Sequence, residues 1–486
     1  MKVSIIHKFI NPCSWILLSF ALFLSCSDEL IEHPKAMVVE NFYKTPEEVE
    51  SATNAIYNQL RTTTQMSVYE ATLECLSDFV YGRGSWAQIG EYKKLNDTNI
   101  TRVSGIWKSF FISIRCANLV IKNSPKGNPD IDVFVAEAKF MRAFVYFHLV
   151  RNWGGVPLRT EENMSEIDVS RASEDEVYAF IINDLLEAEK VLPEKRNMSG
   201  RPSKWAAKTL LADVYLQLGE YSKSRVKAEE VVKSGAFSLV PVTSKEDFQE
   251  NVFGPSVITS SEEIFYLKYS NIVSGQGNYM LWILNHFETG GFPFGGAYAI
   301  YGDLTNPVYK EWDDRDLRKQ LWSPVEFGLG ANTLVCTKFV DKNAISKAGG
   351  ANDDPVYGYS DLLLIYAEAL VMETGKVTVE ALEAVNQIRR RAYGQDAMAT
   401  SEFDYKQSDC PSSSVLLDLI MKERGYEFQV EGKRWLELKR TGKAIEIIKA
   451  SKGLDVSDIS FLWPIPIDEI NYNGALDPKT GQNPGY

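Results

Sequence analysis

Four histidines among 486 residues leave little material for metal or acid–base chemistry. His7, His33, His148 and His286 stand alone, none at ligand spacing from another. No His-Glu-x-x-His, Gly-x-Ser-x-Gly or Gly-x-x-x-x-Gly-Lys-Ser/Thr run occurs, so the commonest metallohydrolase, serine-hydrolase and phosphate-cradling patterns are absent. Cysteine is scarce too. There are six, without a Cys-x-x-Cys pair, so a disulfide framework is not expected at this length. Basic residues are outnumbered 52 to 65, for a net charge of −13. Binding to phosphate backbones needs clustered Lys and Arg, so no nucleic acid partner is expected. Long apolar runs are also missing. Trp15 to Leu24 is the best of them, and it is too short to span a bilayer.

That short run instead fits a secretory signal. Lys2 and Lys8 precede it, and Phe23-Leu-Ser-Cys26 comes directly after. The last four residues resemble a bacterial lipobox, with Phe23 where Leu is usual and Cys26 as the residue to be acylated. Residues 1–25 are therefore expected to be removed. The loss of two lysines takes the net charge from −13 to −15 and leaves 461 residues, enough for a large core. The remaining Cys75, Cys116, Cys336 and Cys410 read as buried free thiols.

Helix signals dominate the rest of the chain. Thr45-Pro-Glu-Glu48 places a cap, a first-turn proline and two acids before Ala55, Ile56 and Leu60. Further patterns run from Ile106 to Lys122 and, capped by Ser173, from Val177 to Leu192. Between them, Val135 to about Asn152 carries Phe140, Ala143, Phe144 and Phe147 on one stripe and Met141, Val145 and Leu149 beside it, so it is buried over most of its circumference. Trp153-Gly-Gly-Val-Pro157 stops it. Ser203 starts a helix whose Leu211-Ala212, Tyr215, Gly219 and Tyr221 approximate the tetratricopeptide pattern, with an echo at Tyr366-Ala-Glu-Ala369. Between Phe237 and Tyr357 the periodicity fades into Gly, Pro, Asn and aromatics, and alternations such as Glu263 to Tyr269 predict strands.

The fold expected is all-α dominated, a tetratricopeptide-like α-α superhelix with one long loop-rich region containing short strands. Three parts are expected: helical repeats over 26–235, a loop-rich ligand-binding part over 236–357, and C-terminal helices with a tail over 358–486.

Six segments together resemble the SusD/RagB family, the nutrient-binding surface lipoproteins of Bacteroidota. They are the helix ending in Trp153-Gly-Gly-Val-Pro157, the run from Gly200 to Tyr221, Ser360 to Leu370, Ala384 to Arg391, Ile420 to Gly442, and Phe461 to Ile470 with the closing Gln482-Asn-Pro-Gly-Tyr486. They occur in the family's order and cover essentially the whole mature chain. Gly425 departs from the pattern, because members usually carry a longer polar residue there. Ser27-Asp-Glu29 resembles the acidic surface-export tag of such lipoproteins. The resemblance implies a non-enzymatic protein without cofactor or metal, lipid-anchored at the outer membrane and facing outward. It also implies two partners, an oligosaccharide ligand and a SusC-like TonB-dependent transporter. A helical scaffold that binds only proteins, or a peptide-capturing relative, is the alternative.

Sugars offer apolar C–H faces and a hydroxyl rim, so their sites combine flat rings with polar side chains. Ring-bearing loops supply the candidates: Trp86 with Arg83, Tyr279, Trp282, Phe292, Phe294, Tyr298, Tyr301 and Trp322. Trp107, Trp153, Trp205, Trp435 and Trp463 lie in the signature segments and read as core, as does His148. Asp313 to Arg318 and Glu423 to Arg434 read as salt-bridge networks rather than a catalytic carboxylate pair.

Overall fold

A computed structural model describes residues 42–486, apart from 62–64, 273–274, 327–329, 348 and 478. The expected signal segment, Cys26, the expected acidic tag, His7 and His33 lie outside the described residues. The chain opens with α1 (Pro46–Arg61) and α2 (Gln65–Glu74). The predicted Thr45 cap is present, and Glu48 closes it into a capping box: the Glu48 amide donates to Thr45 Oγ1 and the Thr45 amide to Glu48 Oε2, at 3.3 and 3.1 Å. A two-residue strand β1 (Tyr81–Gly82) leads to the long helices α3 (Asp97–Asn123) and α4 (Pro129–Trp153). Both begin earlier than periodicity suggests, because Asn96 and Asn128 cap polar first turns. Next come α5 (Glu174–Val191), boxed by Ser173 and Glu176, then α6 (Lys204–Gln217) and α7 (Tyr221–Lys233), joined at Gly219 with φ +72°.

Packing runs in sequence through α3, α4, α5, α6 and α7, the order of stacked helical hairpins. The next neighbour of α7 is α10 (Tyr359–Thr374), which also packs on α11 (Val379–Ala392) and α12 (Ser413–Glu427). Residues 234–358 are thus an excursion between adjacent helices. They carry β2 (Glu263–Leu267), α8 (Met280–Leu284), β3 (Ile300–Asp303), α9 (Pro307–Glu311), β4 (Trp322–Pro324), β5 (Thr333–Cys336) and β6 (Asp354–Gly358). An antiparallel sheet in the order β1-β3-β5-β4 ties this excursion to the N-terminal part, and β2 pairs with β6. The chain closes with α13 (Arg434–Arg440), α14 (Ala444–Lys452) and α15 (Ile467–Tyr472).

The Trp-Gly-Gly exit is the keystone of the core. Trp153 packs edge-on against Trp107 and Trp463, with centroids 5.5 and 4.9 Å away, and donates its indole N–H to Pro464 O at 3.0 Å. The Asn483 amide group donates to Trp153 O and Trp463 O at 3.0 and 2.7 Å. A Cβ on Gly155 would lie 2.2 Å from Ala172 O, so only glycine lets these backbones touch. Trp205 differs from its expected core place: it is half-buried beneath Lys204. Cys116 is likewise half-buried, while Cys75, Cys336 and Cys410 are buried thiols.

The charged motifs form networks that are buried around Arg318 and Arg391 and exposed at the Asp313–Arg315 pair. Arg318 pairs with Asp316, Glu423 and Glu427, and Arg391 with Glu262 and Glu427. Burial alone would raise the Glu427 carboxyl, but the Arg391 and Arg318 charges outweigh it and hold it down to about 2. Gly425 has a local reason. A Cβ there would lie 3.1 Å from Cζ of Arg434, whose guanidinium is committed to Asp78 and Glu437 at 2.7 and 2.6 Å. His148 is half-buried at the edge of the core rather than fully inside it: its Nδ1 lies 2.8 Å from the Tyr69 hydroxyl, and desolvation, aided by the Arg151 charge, holds it well below the ordinary range.

Candidate ligand-binding site

Backbone pairing brings three ring-bearing segments into one place. Strand β1 meets β3 with Tyr81 opposite Tyr301 and Gly82 opposite Ile300, and the Arg83 amide donates to Ala299 O at 2.7 Å. On the other side, Ala297, Tyr298 and Ala299 donate their amides to Trp282 O, Asn285 O and Ile283 O at 2.7, 3.2 and 2.8 Å. The segment 297–301 is therefore held between 81–83 and 282–285. Glycines make the approach possible. A Cβ on Gly296 would fall 1.8 Å from Asn285 O, and one on Gly82 2.4 Å from Trp86 O.

The side chains on this frame form a cation–aromatic cluster. The Arg83 guanidinium lies 3.6 Å from the Tyr298 ring centroid and donates to Ala297 O at 2.8 Å. Tyr298 takes φ +33°, a left-handed backbone that a tyrosine adopts only when its surroundings impose it. His286 also neighbours it, 4.8 Å away and edge-on, and in turn lies 4.2 Å from Phe287. Phe287 is 68% exposed and Phe294 36%. A little further on, Tyr81 and Tyr301 stack at 5.7 Å, and Arg102 of α3 lies 3.9 Å over the half-buried Trp86 ring. Trp282 is half-buried with the Lys347 ammonium 5.2 Å from its ring. Tyr279 sits one helical turn earlier, its carbonyl accepting from the Trp282 amide, and partial burial raises its phenol. Half-exposed rings with the Arg83, Arg102 and Lys347 cations beside them offer both contacts a carbohydrate ring makes: an apolar face and hydrogen-bond donors.

Of the rings expected here, Trp86, Tyr279, Trp282, Phe294, Tyr298 and Tyr301 sit on this frame with Arg83. Two need correction. Trp322 is 3% exposed, packed edge-on against Phe79 at 4.8 Å, so it is a core ring with no open face. Phe292 is 2% exposed and belongs to the core as well. Conversely, sequence reasoning passed over Phe287 and set His286 aside. The glycines at 290 and 291, already marking a tight turn, were the signal that could have found Phe287.

Comparison with known proteins places this architecture. Residues 324–486 match the model of the SusD family, and residues 31–216 match one described as starch-binding associating with outer membrane. SusD-like protein P2 of Formosa agariphila is 28% identical over 510 aligned positions, covering 95% of this chain and 97% of its own. A SusD homologue from Bacteroides thetaiotaomicron superposes with a TM-score of 0.77 at 21% identity, over 92% of this chain and 98% of that one. Surface glycan-binding protein A from Bacteroides fluxus gives a TM-score of 0.75 at 21% identity, over 91% and 100%. With both ends of the sequence matching family models and the whole helical frame shared, the chain belongs to the SusD/RagB family.

Proposed function

We propose that this chain is a surface-exposed, lipid-anchored carbohydrate-binding protein without catalytic activity of its own. It captures oligo- or polysaccharide and passes it to a SusC-like TonB-dependent transporter in the outer membrane. The observation that carries the reading is the cluster around Arg83, Tyr298 and Trp282, with Phe287 and Phe294 open to solvent. A structural relative whose name says that it binds surface glycan supports the ligand class, and a family description naming the outer membrane supports the location. Capture beside a pore raises the local ligand concentration, so modest affinity suffices.

Anchoring rests on Cys26. Changing Cys26→Ala should remove acylation and release the protein into the soluble fraction, since each buried methylene of a lipid chain contributes ~0.8 kcal/mol. Retention of that variant in the outer-membrane fraction would contradict the lipoprotein reading. Pull-down of the wild-type chain from detergent-solubilised membranes should bring a large TonB-dependent barrel with it. Recovery of the chain alone would remove the support for transporter delivery.

A further inference from the structure

A second groove lies on the opposite side of α3 from the Trp86 ring, between that helix and α15. It encloses about 480 Å³, within the size range of pockets that hold small ligands. Trp107 and Phe111 form its floor, their centroids 4.7 Å apart. Tyr472 forms the far wall and is 77% exposed. Lys108 and Arg115 stand exposed on α3, one turn to either side of Phe111. Facing them on α15 is Asp468, also exposed. Among the described residues none of these three charged groups holds an ion pair or hydrogen bond.

The walls are fixed in advance. Arg159 donates to Glu166 O and Ile167 O at 2.8 and 3.0 Å, and the Asn473 amide group to Val169 O at 2.8 Å. The Gly474 amide donates to Asp168 Oδ1 at 2.6 Å. A site whose loops are already ordered loses less entropy on binding.

We propose that this groove is a second carbohydrate subsite, which takes a neutral, hydroxyl-rich stretch of the glycan with Tyr472 as stacking ring, Lys108 and Arg115 as donors and Asp468 as acceptor. Each sugar hydroxyl both donates and accepts, so it is served by uncommitted groups of both kinds around an apolar floor. A strongly anionic ligand would meet the uncommitted Asp468 on one wall, whereas Glu469 is already paired with Arg159 at 3.4 Å. The inference rests on the carbohydrate-binding function proposed for the chain. The same helix carries Arg102, which covers Trp86, so a long chain that leaves the aromatic cluster can reach the groove around α3, and the two weak contacts then reinforce each other.

Calorimetric titration of the full mature chain tests this. The probes are starch, laminarin, xylan and galactomannan as neutral polymers, and alginate and homogalacturonan as acidic ones. The wild type should bind at least one neutral polymer. Tyr472→Ala and the double variant Lys108→Ala/Arg115→Ala, both at exposed positions, should each weaken it about threefold to tenfold with unchanged melting. If Arg83→Ala and Trp282→Ala weaken the polymer while the groove variants do not, the second subsite is refuted and the first stands. Binding confined to the acidic polymers overturns the proposed ligand class. A wild type that binds none of the six overturns the carbohydrate reading and this subsite with it. If Tyr472→Ala leaves glycan binding intact but loses the transporter in pull-downs, the groove is a protein contact and the proposal fails.

Discussion

Replacing Glu427 by Gln should expose how much of the C-terminal half depends on one buried carboxylate. Glu427 is 8% exposed, accepts from Arg318 Nη1 at 2.8 Å through one oxygen and from Arg391 through the other. Its carboxyl is held at about 2, against 4.5 for the free side chain. A depressed acid stabilises the fold above its unfolded pKa and loses that contribution as pH falls through the folded one. The difference corresponds to about 3 kcal/mol at pH 7, shrinking to roughly half at pH 3. Glutamine keeps the volume and removes the charge, leaving two buried guanidinium groups with fewer counter-charges. Urea unfolding at pH 7 should therefore place the variant about 3 kcal/mol below wild type, and at pH 3 the gap should narrow to about half. Equal midpoints at pH 7, or a gap that does not change with pH, would refute the reasoning.

Two further substitutions probe other links. Gly296→Ala puts a methyl where Asn285 O now sits, 1.8 Å away, so segment 297–299 must leave 282–285. Amide exchange at 297–299 should accelerate and ligand binding should fall while helical circular dichroism is kept; unchanged exchange would show that the close approach does not hold the site. Glu74 is buried, accepts from the Gly432 amide at 2.8 Å, and is pushed up to about 7 mainly by burial. An acid raised in the folded state costs stability as pH rises from about 4.5 to 7 and stays costly above. Glu74→Gln should match wild type near pH 4 and exceed it by up to about 3 kcal/mol at pH 8, measured by urea midpoints at both pH values; a constant difference would exclude this linkage.

Helices with side-chain caps were legible because the cap is local chemistry: Thr45, Ser173 and Ser203 sit where the sequence puts them. The first turn of α3 was not, since Asp97 to Gly105 is mostly polar and lacks an apolar stripe, and the start of α4 was masked by Pro129 and by Asp130 and Asp132 alternating with Ile131 and Val133. The signature tryptophans read as core because several contacts share them, yet Trp205 shows that membership in a motif does not fix burial. The loop aromatics were legible as a set and ambiguous one by one. Composition and glycines mark 279–301 as ring-rich and tightly turned. Which ring faces outward depends on partners far along the chain, such as Phe79 behind Trp322. The meeting of 81–86 with 297–301 is likewise a non-local strand pairing that local pattern cannot reveal.

The measurement closest to the central claim compares three alanine variants in glycan titration and in melting. Arg83→Ala and Trp282→Ala should weaken the polymer that wild type binds, each by roughly 1–3 kcal/mol, and melt like wild type. Trp322→Ala removes a core ring and should instead lower stability by about 3–5 kcal/mol. If the Arg83 and Trp282 variants bind the polymer as tightly as wild type, the cluster around Tyr298 is not the capture site, and the function proposed for this chain loses its structural basis.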